Sequence, residues 1–163
     1  MRPKKEKKFE QIYAEYKDNV FAISIMYLKD YQLAEDASQE TFVKVLGKLK
    51  NLKDQSKTKA WISKIAINVC RDKLRQSSRR EIPSERLPEN TNSVYNSDVK
   101  LTVGEAVSNL SPELKEVVIL YYYQGFTQKE ISDNLKIPPS TTAYRLRTAK
   151  SQLKEYLKED YDG

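Results

Sequence analysis

Three groups of residues in this chain have the types and spacing to do recognition chemistry. Lys64, Asn68, Arg71 and Arg75 follow one another at intervals of four, three and four, which puts them on one face of a helix. At roughly 1.5 Å rise per residue they would form a stripe about 16 Å long. Three cations can hold phosphate oxygens and an amide can read a base edge, although a solvated basic face accounts for the same residues. A second group, Ser140, Ala143, Tyr144, Arg147, Ser151 and Lys154, makes a polar and cationic helix face of the kind that enters a major groove. The third is acidic within a basic chain. Glu35, Asp36, Gln39 and Glu40 surround an outward Val43, as a docking surface for a basic partner helix would. Glu35 and Asp36 equally suit the positive end of their own helix, and spacing alone leaves both accounts open.

Each group needs a helix to carry it. Phe9, Ile12, Tyr13, Tyr16, Val20, Ile23 and Tyr27 recur at helical spacing and predict an amphipathic helix over about 9–28. Asp30 can cap a second helix over about 31–49, with Ala34, Ala37, Thr41, Phe42, Val45 and Leu49 inward. A third covers 59 to about 75, burying Trp61, Ile62, Ile65, Ala66, Val69 and Cys70. From 77 to about 100 the chain is rich in Ser, Asn, Pro and charge, which marks a flexible linker. Beyond it, Leu101–Leu110 leads into Ser111-Pro112-Glu113, a cap, N1 proline and first-turn acid, with Val117, Val118, Leu120 and Tyr121 apolar and Gly125 ending the helix.

Residues 126–153 then read as a helix-turn-helix. Thr127 and Glu130 form a capping box, Ile131 and Leu135 give an apolar edge, and Lys136-Ile137-Pro138-Pro139 interrupts. The second helix restarts near Pro139, where a missing N–H costs little, with Thr142, Leu146, Ala149, Leu153 and Leu157 inward. A bare αα-hairpin fits these residues too. The ends, Met1–Lys8 and Glu159–Gly163, read as a solvated basic tail and a fraying tail.

Composition limits the chemistry. The 163 residues carry 29 Lys+Arg against 23 Asp+Glu, a net charge of +6 that suits a polyanionic partner. With 39% hydrophobic and 32% charged residues and only four glycines, a soluble, helical protein is expected. There is no histidine and one cysteine, Cys70, so an intrachain disulfide, a Cys/His zinc site and His-based acid–base catalysis are excluded. No cofactor, metal, small-molecule substrate or catalytic residue is expected. The sequence has no apolar run of bilayer length and no signal-peptide core, which predicts a cytoplasmic protein without direct membrane insertion.

The order of these segments resembles the small two-domain sigma factors of bacterial RNA polymerase, the extracytoplasmic-function group of the sigma-70 family. AEDASQETFVKVL at 34–46 looks like its polymerase-docking helix, AWISKIAINVCRDKLR at 60–75 like its promoter-melting and minus-ten helix, and LSPELKEVVILYYYQGFTQKEIS at 110–132 like the entry to its minus-thirty-five reader. The resemblance implies an all-α fold with sigma domain 2 at 1–76, a flexible linker at 77–100 and sigma domain 4 at 101–163. By position, it implies that Asp36, Gln39, Glu40 and Val43 meet the β′ clamp helices, which resolves the tie over the acidic patch. Asn68, Arg71 and Arg75 would meet minus-ten DNA, with Trp61 and Lys64 near the point of strand separation and the Leu52–Lys59 connection capturing a flipped base. Ser140, Thr141, Tyr144, Arg145, Arg147 and Lys150 would enter or flank the minus-thirty-five groove. Further partners implied are the β flap and an anti-sigma protein, which could hold the chain at the inner membrane face.

The chain also departs from the family pattern. Lys136 stands where Gly is usual in the turn, and Ser132 where Ala is usual. A non-glycine residue in the left-handed region costs ~1 kcal/mol. Thr141-Thr142-Ala143 replaces a Thr-Val-Lys run, removing one phosphate contact, and Tyr144 replaces a small polar residue, altering base preference. Two rival readings remain on these residues: an operator-binding helix-turn-helix regulator, and an RNA-binding or adaptor protein built of two helical modules.

Overall fold

The computed structural model describes residues 4–80 and 98–162, and among them all regular structure is helical. These residues fall into two compact units, one on either side of 81–97. Most of the expected linker therefore lies outside the described residues. Its edges are helical, since α3 continues to Arg80 and α4 begins at Asp98.

The first unit packs α1 (Lys4–Leu28), α2 (Tyr31–Gly47) and α3 (Thr58–Arg80) against one another. Helix α1 starts at Lys4, so part of the expected N-terminal tail is helical, with Lys4 to Lys7 exposed. It ends at Lys29, which takes the left-handed conformation (φ 55°) while its N–H donates to the Ile25 carbonyl at 2.9 Å. Asp30 then caps α2, accepting from the Leu33 N–H at 3.0 Å. Val20, Ile23 and Tyr27 meet Ala34, Ala37, Val45, Ile62, Ala66, Ile67 and Val69, all at most 2% exposed. The alanines let the helix backbones approach closely, and the large aliphatic side chains each contribute roughly 1.5–3 kcal/mol by burial. Two sequence expectations are corrected here, and one buried residue is added. Ile67, not singled out, is fully buried; Trp61, expected inside, is half-buried; Tyr13, placed on the apolar stripe, is 45% exposed.

The second unit contains α4 (Asp98–Ser108), α5 (Pro112–Val118), α6 (Gln128–Leu135) and α7 (Pro139–Asp162). Pro112 opens α5 as expected, but the Ser111 side chain makes no capping hydrogen bond. A wide turn, Ile119–Tyr123, follows, in which the Gln124 N–H reaches the Ile119 carbonyl at 3.0 Å. Its widened pitch leaves Tyr121, Tyr122 and Tyr123 all at least 36% exposed, so Tyr121 is not on the apolar side as expected. Gly125 closes the turn at φ 75°, a conformation that glycine adopts without strain. Helix α7 runs to Asp162, so the expected C-terminal tail is helical almost to its end. Leu114, Val117, Ile119, Leu120, Phe126, Ile131, Leu146 and Ala149 form the core.

Candidate nucleic-acid and partner interfaces

The helix-turn-helix is built by local bonds. The Thr127 hydroxyl accepts from the Glu130 N–H at 3.1 Å, and the Glu130 carboxylate accepts from the Thr127 N–H at 3.0 Å, so both halves of the capping box are made. At the other end of α6, Lys136 adopts the left-handed conformation (φ 57°, ψ 48°), the geometry for which glycine is the usual residue. The Ile137 N–H then returns to the Ser132 carbonyl at 3.0 Å, and α7 starts on Pro139. Ser132 has a second role. Its hydroxyl donates to the Gln128 carbonyl at 2.9 Å and lies 2.8 Å from the hydroxyl of Thr142 on α7, tying the two helices together in the core.

That packing fixes which side of α7 faces solvent. Thr142, Leu146 and Ala149 are buried, while Ser140, Tyr144, Arg147 and Lys150 are exposed and Thr141 and Arg145 half-buried. All six expected DNA-contacting residues thus lie on or beside the outward side of one helix. Tyr144 is 61% exposed there.

On α3, Asn68 and Arg75 are exposed, whereas Trp61, Lys64 and Arg71 are half-buried. The stripe is therefore partly sunk into the first unit rather than fully exposed. Arg71 donates to the Asn68 side-chain carbonyl over a long 3.5 Å, and Arg75 lies 4.0 Å from Asp72. Before α3, Asp54 shapes the connection by accepting from the Ser56 hydroxyl at 2.6 Å and the Ser56 N–H at 3.0 Å. These two bonds, aided by nearby Lys57, hold the Asp54 carboxyl below its ordinary range.

On α2, Gln39, Glu40 and Val43 are exposed and Asp36 is half-buried, accepting from the Gln32 side-chain amide at 3.2 Å. Because Asp30 is the cap, Glu35 and Asp36 fall beyond the first turn, where the field of the helix end has largely decayed. The helix-end account of this acidity accordingly loses force. Val43 is 69% exposed beside these acidic and amide side chains. Spacing did not single out Lys73, whose ammonium lies 3.5 Å from the Glu40 carboxylate, because that pairing depends on how α3 crosses α2. Nor did it single out Leu46, 39% exposed, although its place three residues after Val43 was a usable signal.

Among the described residues no cluster of His, Cys, Asp or Glu could hold a metal ion, and no helix is long and apolar enough to cross a membrane. Cys70 is buried and forms no disulfide.

Residues 12–80 match sigma-70 region 2 and residues 100–153 match sigma-70 region 4. The chain belongs to the sigma-70 family, in its extracytoplasmic-function group, with regions 2 and 4 both present. As a sigma factor it is a non-catalytic subunit. It is 25% identical to the ECF sigma factor SigE of Mycolicibacterium smegmatis over 160 residues, covering 91% of this chain and 61% of SigE. It is 28% identical to the ECF sigma factor SigM of Bacillus subtilis, covering 89% of this chain and 92% of SigM. The fold is also similar to that of the sigma factor RpoE solved with the anti-sigma factor NepR from Bartonella quintana (TM-score 0.77, 24% identity, 93% of this chain and 98% of that one). CnrH, solved with the cytosolic domain of CnrY, gives a TM-score of 0.71 at 19% identity, covering 95% of this chain and 90% of that one.

Proposed function

We propose that this sigma factor docks on core RNA polymerase through Asp36, Gln39, Glu40 and Val43 and reads a two-part promoter. In this reading residues 1–76 form the docking and minus-ten domain, and residues 101–163 form the minus-thirty-five domain. Asn68, Arg71 and Arg75 meet minus-ten DNA, with Trp61 and Lys64 at the edge of the opened strand. Ser140, Thr141, Tyr144, Arg145, Arg147 and Lys150 meet the upstream element. The β flap is a second contact on polymerase. The observation that carries the reading is the pairing of an exposed acidic patch around Val43 with two separate DNA-type faces in one chain. A simple operator-binding regulator has no use for that patch.

No bond is made or broken by this protein. Its work is to trap unstacked bases of the non-template strand, and unstacking costs a few kcal/mol per step. Three basic side chains cannot supply that alone, so contacts with polymerase and with phosphates share the load. Activity takes place where the DNA is, in the cytoplasm. Control by an anti-sigma protein is part of the proposal, supported by the likeness to RpoE and CnrH, each solved with such a partner or its counterpart.

The test is reconstituted transcription on genomic DNA with core enzyme, followed by sequencing of the transcript starts. Starts sharing a two-part upstream motif are expected, and absence of any directed initiation overturns the reading. Glu40→Lys separates it from the regulator alternative: polymerase pull-down should be lost, whereas a regulator would keep its DNA affinity.

A further inference from the structure

The outward side of α7 is divided lengthwise by charge. Thr142, Leu146 and Ala149 are buried where α5 and α6 pack against α7. The helical period puts Ser140, Tyr144 and Ser151 on the opposite line, and all three are exposed. Arg147 and Lys150 are exposed on one flank of that line, and Arg145 is half-buried on the other. The central line therefore carries hydroxyls and a ring, while the cations stand at its edges. Of its three side chains only Tyr144, 61% exposed, is long enough to reach well beyond the helix backbone. Because α7 begins at Pro139, Tyr144 also lies in the first two turns, the part of a recognition helix that meets base edges.

We propose that Tyr144 is a specificity-determining residue that reads a thymine, its ring packing on the C5-methyl group in the major groove. This rests on the reading given above, in which α7 meets the upstream promoter element. Phosphates lie along both edges of a groove, so cations on the two flanks of α7 match them and leave the groove floor to the central line. A phenol ring has no pair of hydrogen-bonding atoms spaced to match guanine or adenine, whereas thymine alone presents an apolar group on that floor. Ring and methyl both gain by leaving water. Ala143, directly before Tyr144, adds neither charge nor length that would hold the ring away. The rival is the phenol hydroxyl, which donates to any phosphate or base acceptor and so carries little sequence information.

The experiment uses holoenzyme assembled from the full chain and core RNA polymerase. The probe is a promoter taken from the mapped transcript starts, its upstream element randomised, in two versions that carry thymine or uracil there and so differ only in the methyl group. Bound duplexes are sequenced. The parent should enrich thymine at one position and bind the uracil counterpart roughly fourfold more weakly, as burial of one methyl group predicts. Tyr144→Phe should keep that difference, because the ring makes the contact, and Tyr144→Ala and Tyr144→Ser should abolish it. Thermal melts identify any loss that comes from unfolding, and the parent and Tyr144→Phe still decide the matter if both truncations are unstable. Arg147→Ala serves as the reference for the upstream reading and should weaken binding to every sequence. An enriched motif that depends on Arg147 but shows no difference between thymine and uracil overturns the inference and leaves that reading standing. A difference that survives in Tyr144→Ala overturns it as well, and one lost in Tyr144→Phe assigns the contact to the hydroxyl and does the same. Enrichment indifferent to both Arg147→Ala and Tyr144→Ala overturns the upstream reading and the inference with it.

Discussion

The Ser132 hydroxyl lies 2.8 Å from the Thr142 hydroxyl in the core of the helix-turn-helix. Ser132 directs its one proton to the Gln128 carbonyl, so Thr142 is the donor between the two. Thr142 is fully buried, and the pair joins α6 to α7 at the base of the DNA-facing helix. Ser132→Ala strands the Thr142 hydroxyl away from water and should cost about 1–3 kcal/mol. The double variant Ser132→Ala with Thr142→Val removes both polar groups and should cost less than the sum of the singles. Urea denaturation of the four proteins checks this, and strict additivity would show that the hydroxyls act independently.

Lys136 gives the opposite sign. It holds a left-handed backbone at φ 57°, and a side chain there costs ~1 kcal/mol that glycine does not pay. Lys136→Gly should therefore stabilise the second unit by about 0.5 kcal/mol, after the greater freedom of glycine in the unfolded chain is subtracted. A rise of a few degrees in the melting temperature of that unit is expected, and a fall would mean that the lysine side chain makes a compensating contact.

The pair formed by Lys73 and Glu40 is half-solvated, with side-chain exposures of 23% and 45%. Such a pair contributes under about 1 kcal/mol to stability. Its larger effect is on the field of the docking face, where Lys73 offsets part of the charge of Glu40. Lys73→Met should leave the melting temperature nearly unchanged and speed association with core polymerase at low salt, an effect that fades at high salt. Stopped-flow binding at two ionic strengths reads it, and slower association would show that Lys73 itself contacts the partner.

Asp54 links acid to the shape of the connection before α3. The Ser56 hydroxyl, then the Ser56 N–H, stabilise its carboxylate and hold its pKa below the ordinary value of 3.8. A carboxylate with a depressed folded pKa stabilises the folded turn fully above the ordinary value, and that contribution is lost as pH falls through the lower one. The Ser56 amide resonance should therefore stay fixed down to about pH 4 and shift only in stronger acid. Asp54→Ala should abolish that shift. A Ser56 amide that titrates near neutral pH would contradict it.

The helix-turn-helix was legible almost residue by residue. Its capping box, proline restart and inward Thr142, Leu146 and Ala149 are set by neighbours within a few positions, so spacing carries the information. Asp30 as the cap of α2 and Gly125 as the end of the α5 turn were legible for the same reason. Ser111 shows the limit of that rule, since the residue type is right for a cap but the side chain forms no such bond.

Sequence by itself determined that this chain is helical, that it lacks the groups for His or Cys/His chemistry, and which helices carry cations, amides and acids. These are properties of residue type and of the 3.6-residue period, and they need no knowledge of what lies across a helix. Tertiary structure alone decided how far each face is covered. It left Tyr13 half in water although it lies on the stripe with Ile12 and Tyr16, and it turned Tyr121 outward through a widened turn. It also brought Lys73 to Glu40 and Ser132 to Thr142. Both of those pairings depend on the crossing of two helices, and a crossing is fixed by the packing of side chains distant in sequence, which periodicity along one helix does not encode.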